Sequence, residues 1–315
     1  MVFLLQKEEE LEKNRRSMNN IVLVILITFL FSQPKVDTSS VKPTFDLLKG
    51  FTIPGIIPQD LTLGSNRALS QFEIDEIKKN ALEFEPTPLT ENDIVIMETN
   101  RGIMKLKLFP YIAPKHCNNF KKLANSGYYD GTKFHRIIPG FMIQGGDINS
   151  RDNNQHNDGQ GGPGWTVDAE FNDIPHKRGI LSMARSSDPN SAGSQFFICV
   201  ADAPHLDGKY TAFGEIIENI HVADHIVNSP TEYIQVKKMS KKSIPKEEDP
   251  DNWISIRDSK TGEKLYSKVP QYKNKADFEY EMRKKIKSDY PSLPLLIKKV
   301  RILNKLDMYK EKIKQ

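Results

Sequence analysis

The sequence predicts a mainly β protein: a closed barrel of short strands with two helices at its ends, an N-terminal extension and a charged insertion before the last strand. Three observations predict this fold. Short runs of strand-forming residues, separated by Gly and Pro, continue from about residue 94 to residue 217. One helical stretch, 114–124, interrupts them, and a second, 219–228, follows them. A charged stretch then precedes one last strand-like run, and many short strands with few helices are typical of a closed barrel.

The composition favours a soluble, folded protein without a nucleic-acid function. Of 315 residues, 38% are apolar and 27% are charged, which is typical of one large globular domain or two ordinary ones. The net charge is only +4, and other residues, Glu and Asp among them, separate the Lys/Arg clusters. We therefore interpret the basic residues as a solvated surface and expect no nucleic-acid partner.

The cysteines argue against a common class of metal site. The chain has two, Cys117 and Cys199, and no Cys-x-x-Cys pair, so a structural zinc site is not expected. The acidic residues between 147 and 158 lack the regular spacing of a calcium loop, and we expect no metal. Both cysteines lie in segments typical of core elements. We therefore expect two buried free thiols rather than a disulfide. The cysteines do not indicate the cellular compartment of the protein.

Residues 1–32 are interpreted as an N-terminal tail with a signal or anchor segment. An apolar run begins at Ile21 and ends at Phe31, and it is shorter than the roughly 20 residues of a typical membrane span. More basic residues lie just before this run than just after it, which predicts that the rest of the chain crosses the membrane. A cleaved signal, an uncleaved anchor and a start at Met18 all remain open. The alternative is a buried core strand.

Residues 33–90 are interpreted as a linker followed by a docking helix. The stretch 33–43 is polar and contains Pro, Ser and Thr, as flexible linkers do. Ser70 and Glu73 form a capping box at the start of the helix, and Pro86 ends it. The apolar face of this helix favours docking on the main domain over binding a partner. That face consists of Ile74, Ile77, Ala81 and Phe84.

The main domain begins with a predicted pair of half-buried strands. Residues 94–98 and 103–109 are rich in strand formers, and the Asn-Arg-Gly sequence at 100–102 is typical of a turn. Apolar residues alternate with lysines in the second run, which indicates one buried and one solvated face. Pro114 lies where the first turn of a helix tolerates proline.

The last part of the chain is interpreted as an insertion followed by a closing strand. Residues 231–293 are highly charged, and only 294–302 after them resembles a strand. The alternative is a main domain that ends near Lys238, with a separate tail. Residues 305–315 are interpreted as a C-terminal tail.

Two local patterns lie within the insertion. Apolar runs at 253–256 and 264–266 flank a Thr-Gly pair, which predicts a hairpin. Three apolar residues spaced four apart predict a helix. These residues are Phe278, Met282 and Ile286.

Two segments carry the functional information. Residues 134–147 are Phe-His-Arg-Ile-Ile-Pro-Gly-Phe-Met-Ile-Gln-Gly-Gly-Asp, and residues 193–198 are Gly-Ser-Gln-Phe-Phe-Ile. Together they closely resemble the cyclophilin family of peptidyl-prolyl cis/trans isomerases, over about 91–228 plus the closing strand. The resemblance implies a closed eight-stranded barrel capped by two helices, spanning 91–304. It also implies an enzyme that rotates X–Pro bonds and needs no cofactor.

The reaction that the resemblance implies needs no nucleophile or metal. An X–Pro bond rotates slowly because the nitrogen lone pair is delocalised, so a catalyst must hold the ring and favour the twisted state. Arg136 matches the catalytic arginine, whose fork of donors can reach the prolyl nitrogen once conjugation is lost. Gln144 matches an amide that holds the substrate carbonyl, and Phe141 belongs to the catalytic set. The resemblance implies a proline pocket formed by Phe141, Met142, Phe197 and Leu206.

Further substrate-binding residues follow from the same resemblance. The segment Ala184, Arg185 and Ser186 matches one whose backbone pairs with the residues before proline, like an added strand. Arg185 replaces the common Asn, and its side chain favours acidic or polar residues upstream of proline. Gln195 supports the groove, and His135 lies beside it without acting as a general base.

Two positions depart from the family pattern. His205 stands where the family commonly has a tryptophan on the groove rim, and Tyr210 stands where it commonly has a histidine. The loss of the indole donor and its apolar area implies weak cyclosporin binding. The arginine mechanism does not depend on either residue.

The first functional hypothesis is an isomerase beyond the membrane, in the periplasm or the lumen of the secretory pathway, that assists the folding of proline-containing exported clients. The second is a client-binding or chaperone module with little turnover. Arg136 and its neighbours argue against the second, whereas His205 and Tyr210 leave it open. A third hypothesis is a scaffold in a cytoplasmic or nuclear complex, with the apolar run 21–31 merely buried.

Overall fold

The computed structural model describes residues 68–152 and 154–304. The predicted signal or anchor segment at 1–32, the linker at 33–43 and the tail at 305–315 lie outside the described residues. Within the described ranges, every helix is too short or too polar to cross a membrane.

The first described helix, α1 (Gln71–Glu83), has the predicted capping box. The Ser70 side chain accepts a hydrogen bond from the Glu73 N–H, and the Glu73 carboxylate accepts one from the Ser70 N–H at 2.9 Å. This exchange satisfies donors that a helix start would otherwise leave unpaired. The buried face of α1 belongs to the main core of the protein. Its members are Ile74, Ile77 and Ala81.

Eight strands form one curled antiparallel sheet in the order β10-β1-β2-β7-β5-β6-β4-β3. Their bounds are β1 (Asp93–Thr99), β2 (Gly102–Leu108), β3 (Arg136–Ile138), β4 (Met142–Gly145), β5 (Ile180–Met183), β6 (Phe196–Cys199), β7 (Ala212–Glu218) and β10 (Ile297–Asn304).

The predicted closed barrel is not confirmed, because the sheet is open between its edge strands β3 and β10. The strand β3 has only three residues, too few for a continued ladder. Backbone hydrogen bonds instead join 131–134 to 295–297, the segments that precede β3 and β10, at distances of 2.8 to 2.9 Å. The N–H of Ile137, within β3, donates a hydrogen bond to the carbonyl of Asp289 at 3.0 Å. The prediction of a mainly β protein with helices is confirmed.

Two helices pack on the sheet and enclose the main core. The helix α2 (Pro114–Asn125) packs against β7 and β10, and α3 (His221–Val227) packs against β2, β3 and β4. Alternate strand residues point into this core, as the period of two requires. Both cysteines are buried and free, which confirms the interpretation as thiols.

Residues between α3 and β10 form a second, smaller core. The helix α4 (Glu232–Met239), a hairpin of β8 (Trp253–Arg257) and β9 (Lys264–Lys268), and the helix α5 (Lys275–Lys285) surround it. The predicted hairpin and the helix of Phe278 and Met282 are confirmed, whereas α4 was not predicted. Thr231 caps α4 by accepting the Ile234 N–H. The chain then returns to the main sheet, where β10 pairs with β1.

Candidate active site

Three of the predicted site residues form one row across the outer face of the sheet. Arg136 on β3 lies opposite Gln144 on β4, and Gln144 lies opposite Phe197 on β6. Ser182 on β5 continues the row. Because directly opposed residues of antiparallel strands point to the same face, their side chains share one surface. The intervening residues, such as Ile143 and Ile198, face the main core.

Next to this row lies a separate apolar cluster. Met142, Phe197 and Leu206 are buried in it, and Phe141 and Tyr210 pack against it. The four residues predicted to hold a proline ring therefore lie together. Alternation along β6 explains the arrangement, since Phe197 points to this cluster while Phe196 points to the core. The cluster has further members that the sequence did not indicate, namely Cys199, Ala203 and Ile138.

A groove with a cavity volume of about 600 Å³ runs from Gln144 past the glycine-rich loop 159–164. The opposite wall is formed by 184–186 and 191–195. The loop 159–164 is thus a wall of the groove. The predicted residues Ala184, Arg185, Ser186 and Gln195 all line this cavity.

The two glutamines of the groove are linked in a chain of amide hydrogen bonds. Gln144 Nε2 donates to Gln195 Oε1 at 3.0 Å, and Gln195 Nε2 donates to the Gly161 carbonyl at 2.9 Å. A carboxamide has two N–H donors, so Gln144 keeps one for a ligand. This geometry suits an amide that holds a substrate carbonyl.

The loop that carries Gly161 is held by the buried carboxylate of Asp147. Its oxygens accept the N–H groups of Asn149 at 2.8 Å, Gly161 at 3.2 Å, and Gly159. A Cβ on Gly161 would lie 2.1 Å from Asp147 Oδ1, so only glycine allows the backbone to approach this closely. The wall of the groove is therefore attached to the end of β4.

Arg185 is held within the groove wall rather than extended into solvent. Its Nη2 donates to the Lys209 carbonyl at 2.9 Å, and its guanidinium carbon lies 4.5 Å from the centre of the Tyr210 ring. Within the described chain, the Arg185 main-chain N–H and carbonyl make no backbone hydrogen bond. The pairing of this backbone with an added substrate strand stays a prediction.

The rim residues contact the predicted pocket. The ring centroids of Phe141 and His205 lie 5.3 Å apart, and His205 is exposed in the middle of a short 3-10 helix (Pro204–Leu206). The rings of Phe197 and Tyr210 meet edge to face at 5.9 Å. His205 and Tyr210 therefore border the apolar cluster at the positions where the sequence departs from the family pattern.

His135 is placed differently from the other predicted residues. It is only 5% exposed and lies beneath Gly159. Little of its surface is left for direct contact with a substrate. Its predicted part in substrate binding, like the roles of the other site residues, stays a prediction.

His176 supports the pocket from below, and the sequence analysis missed it. Its ring stacks on Phe197 with centroids 6.2 Å apart, its Nδ1 donates to Asp207 at 3.0 Å, and its Nε2 lies 2.9 Å from Ser182 Oγ. The N–H groups of His176 hold the pKa of the Asp207 carboxyl below its ordinary value. No local pattern marks this residue, since Phe197 and Asp207 come from later segments of the chain.

We expect the protein to become less stable in mild acid, because three of its histidines are buried. Burial lowers the pKa of His116, His135 and His176 from the ordinary 6.5, although nearby carboxylates oppose the shift. As the pH falls below about 6.5, the unfolded chain binds protons that the folded protein excludes, so the free energy of unfolding decreases. Urea unfolding between about pH 7.5 and pH 5.5 measures this change.

The exposed histidines provide the control for this prediction. His221 and His225 lie on the surface of α3. Replacing both with Gln should leave the pH dependence unchanged, whereas Gln at His116 should flatten it. Stability that stays constant or rises over this pH range would contradict the prediction.

Comparison with known proteins identifies a family and several relatives that this chain resembles. The family described as cyclophilin type peptidyl-prolyl cis-trans isomerase/CLD matches residues 94–248. A peptidyl-prolyl cis-trans isomerase of Synechococcus elongatus is 49% identical over 120 residues, covering 38% of this chain and 77% of its own. One of Helicobacter pylori is 40% identical over 157 residues, covering 49% and 90%.

A solved structure also aligns with this chain. It is a Cryptosporidium parvum cyclophilin type peptidyl-prolyl cis-trans isomerase, crystallised in the presence of the dipeptide Ala-Pro. The alignment covers 67% of this chain and 98% of that one, at 30% identity and a TM-score of 0.46. On the family match and the two sequence relatives, the chain belongs to the cyclophilin-type peptidyl-prolyl cis-trans isomerases and is an enzyme of that type.

Proposed function

We propose that this isomerase catalyses X–Pro rotation through Arg136 and that it serves the folding of exported proteins. The observation that carries the mechanism is the row of Arg136, Gln144 and Phe197 beside the apolar cluster. The row combines a cation with fixed donors, an amide with a spare N–H, and an apolar ring. These are the groups that holding and twisting an X–Pro bond requires.

In this proposal each group has a separate task. The apolar cluster of Phe141, Met142, Phe197 and Leu206 holds the proline ring, and Gln144 donates to the carbonyl next to it. Arg136 donates to the prolyl nitrogen only after the bond has twisted and the lone pair has returned to that nitrogen. A hydrogen bond that exists only in the twisted state lowers the barrier without tightening the ground state.

The upstream part of a substrate fits the groove. Its backbone would pair with the main-chain groups of Arg185, and its side chains would face the loop 159–164. The guanidinium of Arg185 lies in this wall and favours acidic or polar residues before proline. Proline-containing polypeptides are the partners that this arrangement accepts.

The export proposal is supported by the sequence alone. The apolar run from Ile21 to Phe31, with basic residues before it, favours a signal or anchor and an extracytoplasmic site of action. Membrane fractionation with protease protection tests it. Protection of the isomerase domain until the membrane is opened supports export, whereas a freely digested domain in unopened vesicles contradicts it.

Rate measurements with test peptides test the function. The full chain should accelerate the cis-to-trans exchange of Ala-Pro and Glu-Pro peptides, with Glu-Pro favoured because Arg185 lies in the groove wall. Cyclosporin should inhibit only weakly, because His205 replaces an indole on the rim. Potent inhibition by cyclosporin would contradict the proposed effect of His205, and an Ala-Pro preference would contradict that of Arg185.

A client-binding module with little turnover is the second candidate. The altered rim at His205 and Tyr210 favours it, as does the additional core of residues 233–286. Protection of an aggregating proline-rich protein without acceleration of exchange would support this candidate. Acceleration by a folded chain would reject it.

A further inference from the structure

The insertion between α3 and β10 reaches the proposed catalytic arginine. The Asp289 carboxylate oxygen Oδ2 lies 3.8 Å from Arg136 Nε, and its other oxygen lies 3.9 Å from Lys260 Nζ. Arg136 is 48% exposed and Asp289 30% exposed. A residue from the charged insertion is therefore the acidic partner of a side chain on the far edge of the main sheet.

The carboxylate is held in place by the backbone. The Asp289 carbonyl accepts the N–H of Ile137 at 3.0 Å, directly beside Arg136 on β3. The next residue, Tyr290, is also fixed, because its carbonyl accepts the Glu232 N–H at 2.9 Å. The segment around Asp289 thus runs along the free edge of β3 and is hydrogen-bonded at two consecutive residues.

The same segment also lies near the groove loop. Burial, together with the nearby carboxylate of Asp158, raises the pKa of the Tyr290 hydroxyl. Asp158 lies one residue before Gly159, so the insertion approaches both the strand that carries Arg136 and the loop that walls the groove.

The distance between Asp289 and Arg136 is suited to orientation. At 3.8 Å the carboxylate attracts the guanidinium but does not accept a close hydrogen bond. Within the described chain, the Arg136 side chain makes no hydrogen bond to protein. All of its N–H donors are left for a substrate, while the charge of Asp289 limits the directions that the side chain samples.

We propose that Asp289 is a positioning residue for Arg136, supplied by the insertion, and that it orients the guanidinium for the twisted X–Pro bond. This inference rests on the proposed function of Arg136. It gives the insertion a part in catalysis, since the residue that aligns the arginine comes from outside the sheet.

The test is a double-mutant cycle in the full chain, read by NMR exchange of an Ala-Pro peptide. Asp289→Asn keeps the shape and removes the charge, and kcat should fall about two- to fivefold, as for a partly exposed ion pair. KM should change little, because the interaction acts on the twisted state. Asp289→Glu should retain most of the rate. In the Arg136→Ala background, Asp289→Asn should have no further effect.

A control variant separates orientation from general charge effects. Glu279→Gln removes the same charge from a surface ion pair on α5, where Glu279 binds Arg283. It should leave kcat unchanged, and the melting temperatures of all variants should match that of the wild type.

Other results for these variants would contradict the proposal in distinguishable ways. An unchanged or raised kcat in Asp289→Asn shows that the carboxylate does not orient the arginine. A loss that persists in the Arg136→Ala background, or that accompanies a lower melting temperature, shows a structural role. Full activity of Arg136→Ala alone instead refutes the proposed function, so the two failures are distinct.

Discussion

Arg136→Ala should lower kcat/KM for an Ala-Pro peptide by about 10²- to 10³-fold, the usual effect of removing a donor aimed at the transition state. The physical reason is that the twisted bond localises a lone pair on the prolyl nitrogen, and Arg136 is the cation in the row with Gln144 and Phe197. No other part of this row can donate a charge-assisted hydrogen bond. Rates from NMR exchange at several enzyme concentrations measure the loss.

Two further variants separate the geometry of this side chain from its charge. Arg136→Lys keeps the charge but loses the planar fork, so it should recover only a small part of the rate. Arg101→Ala, at the exposed turn between β1 and β2, should retain wild-type activity. An Arg136→Ala protein that folds and keeps more than about a tenth of the rate would refute the mechanism.

Lys121→Ala should reduce the free energy of unfolding by about 3–5 kcal/mol, the cost of breaking a buried ion pair by removing one partner. Lys121 Nζ on α2 lies 2.7 Å from Asp93 Oδ2 at the start of β1, and both side chains are only 4% exposed. The same ammonium donates to the Pro88 carbonyl at 3.2 Å. Removing it leaves a buried carboxylate without a cation. Urea unfolding at pH 7 measures the loss.

A matched pair on the same helix provides the control. Lys115 Nζ lies 3.0 Å from Asp168 Oδ2, but the two side chains are 58% and 68% exposed. Lys115→Ala should change stability by less than about 1 kcal/mol, because solvent screens exposed pairs. Replacing both buried partners, as in Lys121→Met with Asp93→Leu, should restore much of the loss. Equal effects of Lys121→Ala and Lys115→Ala would contradict the argument.

Short-range patterns in the sequence predict most of the local structure. The capping box at Ser70 and Glu73 places the start of α1 correctly, because both partners lie within one helical turn. Alternation along β6 accounts for the opposite directions of Phe197 and Phe196, because successive side chains of a strand point to opposite faces. The resemblance also directs attention to residues that the structure brings together, namely Arg136, Gln144, Phe141, Met142, Phe197 and Leu206.

Long-range contacts are the part that the sequence does not show. The sheet stays open because β3 is short and its neighbour is Asp289 rather than a continuing β10 ladder. His176 lies beneath Phe197 because Asp207 and Ser182 hold its ring. The contacts of Asp289 with β3 and of His176 with Asp207 join segments that are distant in sequence, and no periodicity or motif marks them.

Alternation along a strand thus determines which face each side chain takes, and the resemblance points to the residues of the pocket, the groove wall and the row that crosses β3, β4 and β6. The tertiary structure decides which charges meet there. Asp289 belongs to a charged insertion whose composition indicates only a solvated surface. It contacts Arg136 because the chain returns along the edge of β3, where an unpaired N–H of a strand requires a partner. The partner of such an N–H can come from a segment far away in the sequence, and the sequence alone does not show which segment supplies it.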